Sequence, residues 1–182
     1  MSRIYMVRHG KAVAGFDGHL DPGLDDLGRS QAVAAAEVLA PLGPLPLYSS
    51  PLARARETAE PLARRWSSEI VIEPRVAEIP SPTEVLAERA LWLRHAMQGR
   101  WRDLDESLQI WRRELVDYLR GMDRDSVVFC HFIAINVAVG EARNDDRVVV
   151  FPPDNGSVTV FSNDAGTIRV VELGRSAQTH VN

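Results

Sequence analysis

The sequence predicts an α/β fold, a three-layer α/β/α sandwich with a mostly parallel central sheet and a helical insertion. Three observations carry this. The short apolar runs Ile4–Val7 and Val127–Cys130 read as strands buried on both faces, as strands of parallel sheets are. Helical stretches separate the strand candidates along most of the chain. Both apolar runs lead into a histidine, His9 and His131, at the carboxyl end of a strand, where open α/β sheets place their ligand crevice.

The elements follow in order. After the first strand, Gly10 permits a sharp turn or a close approach. Residues 11–25 are rich in glycine, proline and aspartate and read as a loop. Asp25 or Asp26 is placed to cap a helix over about 27–41, with Leu27, Ala32, Val33, Ala36, Val38 and Leu39 as its apolar positions. Pro41-Leu42-Gly43-Pro44 ends it. Leu45–Tyr48 reads as the second strand. Ser50 as N-cap and Pro51 at the first helical position then open a helix with Arg54 in its first turn. Ile70–Ile72 reads as the third strand, followed by a loop carrying Glu78. The pattern from Thr83 to about Met122 is helical, broken near Gly99, and forms the insertion between two strands of the sheet. After the strand ending at Cys130, residues 132–141 read as a buried helix. Val148–Phe151 is expected to be a strand, and Val158–Phe161 with Ile168–Leu173 a closing hairpin.

The totals bound the function. At 182 residues the chain is expected to form one domain, 1–182, large enough to bury ~70% of its unfolded surface. A net charge of −4 gives no bulk attraction to nucleic acid or to an anionic membrane. No apolar run approaches the ~20 residues of a membrane helix, and no signal-peptide core follows Met1-Ser2-Arg3. The single cysteine, Cys130, excludes an internal disulfide and a cysteine-based zinc cluster. A cytoplasmic protein is expected.

Arg8, His9, Arg54 and His131 all stand where strands give way to turns or helices, so they are expected to converge on one crevice. Two guanidinium groups match the oxygens of a dianionic phosphoryl group. Helix amino termini after Ser50 and His131 would add donors and a positive dipole end. A histidine with one unprotonated ring nitrogen held in line is a competent phosphoryl acceptor.

The ordered motifs resemble the histidine phosphatase superfamily, the phosphoglycerate mutase-like proteins. Arg8-His9-Gly10 after an apolar strand is similar to that family's opening motif. Asp21-Pro22-Gly23-Leu24, Ser49-Ser50-Pro51-Leu52-Ala53-Arg54-Ala55 with Thr58-Ala59, Val127–His131 and Asn155–Thr159 resemble its later blocks, in the family's order. The resemblance implies that His9 is the nucleophile, forming a phosphohistidine. It implies that Arg8, Arg54 and His131 bind the phosphoryl oxygens, with His131 charged or donating a hydrogen bond. It implies that Glu78 protonates the leaving group and then activates water. No metal or organic cofactor is implied, and the partner is a small phosphorylated substrate.

The chain departs from the family pattern in places. Phe132 stands where members commonly have glycine, with a narrowed pocket or a shifted helix start as the expected result. Ala12 and Gly15 replace residues that assist phosphate binding in many members, and Ile79-Pro80-Ser81-Pro82 lacks the usual glycines. Glu84 and Asp17 are the alternatives to Glu78 as acid. Cys130 invites a thiol mechanism, but a cysteine phosphatase loop needs an arginine where Asn136 stands. Trp92, Trp101 and Trp111 suit helix packing better than a substrate lid. His19, His95 and His180 show no metal-ligand spacing. The reading is phosphomonoester hydrolysis. A mutase, or a phosphate-binding protein on a degenerate phosphatase scaffold, is the alternative. A homodimer through an apolar face of the insertion is left open.

Overall fold

The computed structural model describes residues 1–15 and 18–177. Among them six strands form one sheet: β1 (Ser2–Arg8), β2 (Leu47–Ser49), β3 (Ile70–Ile72), β4 (Ser126–Cys130), β5 (Val158–Asp164) and β6 (Thr167–Glu172). Their order is β3-β2-β4-β1-β5-β6. The first four of these neighbours are parallel, and β5 and β6 add an antiparallel hairpin beyond β1. Five helices accompany the sheet: α1 (Asp26–Leu39), α2 (Ala53–Trp66), α3 (Leu86–Met97), α4 (Glu106–Arg120) and α5 (Phe132–Arg143).

Side chains alternate across each strand, so the central strands feed two cores. Val7, Val127 and Phe129 pack with Ala35, Ala36 and Leu39 of α1 and with Ala59 and Leu62 of α2. Ile4, Met6, Val128 and Cys130 join Leu115 and Leu119 of α4 and Ile133 and Val137 of α5. The result is helix layers on both faces of a mostly parallel mixed sheet, as the apolar runs predict. The register sets the site. Arg8 lies opposite Cys130 and Ser49 opposite Phe129. The chain therefore leaves β1, β4 and β2 at nearly the same height, bringing His9, His131 and Ser50 together.

Several elements differ from expectation, each for a local reason. Val148–Phe151 is not a strand. Val148 donates its N–H to Gly99 O, and Val150 and Phe151 both donate to Oδ1 of buried Asn136. One side-chain amide thus does the work of a neighbouring strand. Ser50 does not cap α2, which begins at Ala53 with its N–H on Asp21 Oδ1. Leu27, Val33 and Val38 of α1 face outward, and the packed face consists of alanines, Gly28 and Leu39. The insertion is two helices, α3 and α4, around a short 3₁₀ turn, Trp101–Asp103. Trp101 is buried there, with the Trp111 ring 6.0 Å away. The first hairpin strand extends further than expected, to Asp164, the second is shifted by one residue, and Ala165 and Gly166 turn the chain with φ of 48° and 87°.

Candidate active site

The site is built from the carboxyl ends of β1, β2 and β4 and the first turns of α2 and α5. His9 follows β1 directly, and its N–H donates to Cys130 O at 3.0 Å. Its Nδ1 lies 2.7 Å from Gly10 O. A carbonyl only accepts, so Nδ1 carries the proton and Nε2 keeps its lone pair. Arg54 Nε donates to that lone pair at 3.1 Å. Burial, reinforced by the Arg54 and Arg8 cations, holds the imidazole well below the ordinary histidine range, so His9 is neutral.

The backbone around His9 is clamped. Gly156 N–H donates to Arg8 O at 3.0 Å, and Asn155 Nδ2 donates to His9 O at 3.0 Å. Gly10 N–H donates to Thr58 Oγ1, whose hydroxyl donates in turn to Arg54 O at 2.6 Å. Gly10 is required by the close approach of α1. A Cβ there would sit 2.4 Å from Gly28 O, and a Cβ on Gly28 would sit 2.1 Å from Lys11 O.

Both arginines are nearly buried, Arg8 at 4% exposure and Arg54 at 8%. Arg8 Nη1 donates to Pro153 O at 2.8 Å, and its guanidinium lies 5.1 Å from the centre of the Phe132 ring. Burial pulls Arg8 down to about 10, partly offset by Glu78 and Asp154, and it remains a cation. Burial lowers Arg54 as well, against Glu78 and Asp21. Phe132 is buried in the core. It is the first residue of α5 and its ring is a platform for Arg8.

His131 is fully buried, its ring centre 5.1 Å from that of His9. Its Nε2 is 2.8 Å from Ser50 Oγ, and its Nδ1 has no hydrogen-bond partner. Burial, followed by Arg54, His9 and Arg8, pushes it well below the ordinary range, which favours the neutral ring. Glu78 accepts N–H groups from Ile79 at 3.0 Å and from Ile133, in the first turn of α5, at 3.2 Å. Desolvation still raises its carboxyl, against those donors and the two arginines. An acid held above its usual range beside two cations and a neutral imidazole suits proton donation to a leaving group.

The structure thus brings Arg8, His9, Arg54, Glu78 and His131 together. Glu84 is exposed in the segment before α3. Asp17 and His180 lie outside the described residues. Cys130 is wholly buried and burial raises its thiol, which keeps it protonated and unreactive. Sequence reasoning quoted Ser50, Thr58 and Asn155 within motifs but gave Thr58 and Asn155 no role and Ser50 the wrong one. Hydroxyls and an amide beside the motif residues were the available signal. A cavity of about 470 Å³ lies at the other end of β4, against Ser126, Tyr48 and Tyr118, and touches none of the five. No group of three or more potential ligands is placed to hold a metal, and no helix is long and apolar enough to cross a membrane, among the described residues.

Comparison with known proteins places this geometry. The family model of the histidine phosphatase superfamily, branch 1, matches residues 4–176. A glucosyl-3-phosphoglycerate phosphatase from Mycolicibacterium vanbaalenii is 48% identical over 80 residues, covering 42% of this chain and 36% of that protein. A probable phosphoglycerate mutase from Cronobacter sakazakii is 30% identical over 121 residues, covering 64% of this chain and 51% of its own. The chain thus matches about a third to a half of the length of these curated relatives. A mycobacterial glucosyl-3-phosphoglycerate phosphatase solved with inorganic phosphate superposes with a TM-score of 0.70 at 26% identity, covering 99% of this chain and 100% of that one. A phosphoserine phosphatase from Entamoeba histolytica shares the fold, with a TM-score of 0.77 at 20% identity over 97% of this chain and 98% of its own.

Proposed function

The chain belongs to the histidine phosphatase superfamily, and from that premise we propose that it hydrolyses a small phosphomonoester through a phosphohistidine on His9. The observation that carries the reading is the state of His9. Its Nδ1–H is tied to Gly10 O, and the Nε2 lone pair is bare except for the Arg54 Nε–H. A neutral, oriented imidazole beside two buried guanidinium groups is a nucleophile placed against an anion site.

In the first step His9 Nε2 forms the N–P bond while the P–O bond to the leaving group breaks. Glu78, whose carboxyl desolvation raises, gives a proton to the departing alkoxide. Arg8, Arg54 and His131 take the equatorial oxygens, whose charge they stabilise. In the second step Glu78 takes a proton from water, whose oxygen attacks phosphorus. The N–P bond breaks, inorganic phosphate leaves, and His9 and Glu78 return to their starting states. No step calls for a metal. The names of the relatives point to phosphorylated hydroxy acids and their glycosides as the substrate class. The whole chain, 1–182, works as one domain with 83–122 as its insertion, acting in the cytoplasm.

The test is turnover of the purified chain on a generic aryl phosphate and on a panel of phosphorylated metabolites. Release of inorganic phosphate, abolished in a folded His9→Ala variant, is the expected outcome. Turnover retained in that variant would sink the nucleophile assignment. Phosphoryl transfer between positions of one substrate without phosphate release would favour the mutase alternative. Binding with no turnover would favour a degenerate phosphate-binding scaffold.

A further inference from the structure

We infer that Ser50 is a positioning residue that fixes His131 in the tautomer bearing its proton on Nδ1, so that a neutral imidazole donates to the bound group. Its last clause rests on the phosphatase reading, because only then is the bound group a phosphoryl group.

Buried polar atoms must find partners inside the protein. Ser50 and His131 are both at 0% exposure, so neither can turn to water. Ser50 Oγ already accepts the Leu52 N–H at 3.1 Å. Its own O–H needs an acceptor, and the one within reach is His131 Nε2 at 2.8 Å. An Nε2 that accepts carries a lone pair, which places the ring proton on Nδ1. That nitrogen is buried and has no partner in the protein. A buried N–H without an acceptor is destabilising, a deficit that a phosphoryl oxygen removes.

The surrounding charges favour the same state. Arg54 from α2 and His9 and Arg8 from the end of β1 are the titratable groups whose charges act on the ring. The two cations oppose a third positive charge. If His131 became an imidazolium, Nε2–H would point at an oxygen already accepting from Leu52, and the serine hydrogen would lose its acceptor. The serine therefore works against protonation and selects the neutral donor. Ser50 lies ahead of the first turn of α2 and serves both sides: its oxygen accepts from Leu52, the residue before the helix, and its O–H is directed to the β4 side. Ser49 supports it, its hydroxyl donating to Ser50 O at 2.9 Å.

The experiment is a long-range ¹H–¹⁵N spectrum of the full chain labelled in histidine, near neutral pH, with His131 assigned by its loss in His131→Gln. A lone-pair nitrogen at Nε2 and a protonated one at Nδ1 are expected. An Nε2-protonated ring, or an imidazolium, overturns the inference, whatever any variant does. In Ser50→Ala the tautomer preference should disappear and kcat/KM on an aryl phosphate should fall about 10- to 100-fold. Ser50→Thr, which keeps the hydroxyl, should restore the wild-type spectrum and most of the rate. Wild-type kcat/KM in a folded Ser50→Ala chain would also overturn it. The expected tautomer in a chain that turns over no phosphomonoester would uphold the role of Ser50 in the ring while overturning the phosphatase reading.

Discussion

Glu78 concentrates the opposing forces at the residue scale. Two backbone N–H groups and two arginines favour its carboxylate, and desolvation favours the acid. The direction is upward, so burial wins over four stabilising partners. Such a balance lets one group donate a proton in one step and accept it in the next. Glu78→Gln keeps the size and the N–H contacts of Oε1 but cannot donate as an acid. It should slow esters with poor leaving groups more than aryl phosphates, because a good leaving group needs less protonation. Equal losses on both substrates would argue against the acid role. Phe132 teaches a second lesson at this scale. The phenylalanine in place of glycine puts a ring under the Arg8 guanidinium.

The junction of α1 with the end of β1 matters most at the scale of elements. Gly28 is in the first turn of α1, capped by Asp25, whose carboxylate accepts the Gly28 N–H at 2.7 Å. Glycine within a helix normally loses about 1 kcal/mol relative to alanine. Here the sign reverses, because a Cβ would lie 2.1 Å from Lys11 O and 2.9 Å from Lys11 N. Gly28→Ala is therefore predicted to destabilise by about 1–3 kcal/mol, as overpacking does, and to lower kcat by displacing the loop after His9. Chemical denaturation with a parallel rate assay checks it, and an unchanged or raised midpoint would refute it. Asn136 illustrates the complementary device. Its Nδ2 donates to Phe132 O and its Oδ1 accepts from Val150 and Phe151, so one buried amide ties α5 to the segment that follows it. That position also explains why no arginine loop surrounds Cys130: it is helix interior, not a phosphate cradle.

At the scale of the whole molecule, the parallel order β2-β4-β1 is what turns scattered residues into a site. It also gives the protein an acid sensitivity. His9 and His131 are held well below the ordinary histidine range of 6.5. Below that value the unfolded chain binds protons that the folded chain refuses, so stability must fall as pH falls. The loss should begin near pH 6.5 and continue down to the folded values. Glu78 acts in the opposite sense, its raised value favouring the fold at low pH and losing that contribution as pH rises through it. The thermal midpoint is predicted to drop on acidification from 7 to 5, and to drop less in His9→Asn. A midpoint flat across that range would show that the histidines are not buried neutral.

Much of this was legible in the linear chain. The runs Ile4–Val7 and Val127–Cys130 are buried on both faces because parallel strands have no solvent side, and that alone is enough to signal them. The polar residues at their ends then follow from the rule that such sheets open at their carboxyl edges. Val148–Phe151 was not legible. Its composition is that of a strand, and only the distant Asn136 amide decides that its donors go elsewhere.

The sequence alone carries the fold class, the six strands in their order together with a seventh, Val148–Phe151, that does not form, and the four cationic or imidazole residues expected at the strand ends. Those depend on local apolar runs and on residue type. Tertiary structure alone decided which nitrogen of His9 is free, that Ser50 faces His131, and that Phe132 carries Arg8. The first is set by the neighbouring Gly10 carbonyl and by Arg54, 45 positions away, and the other two are contacts between residues 81 and 124 positions apart, set by strand register and burial.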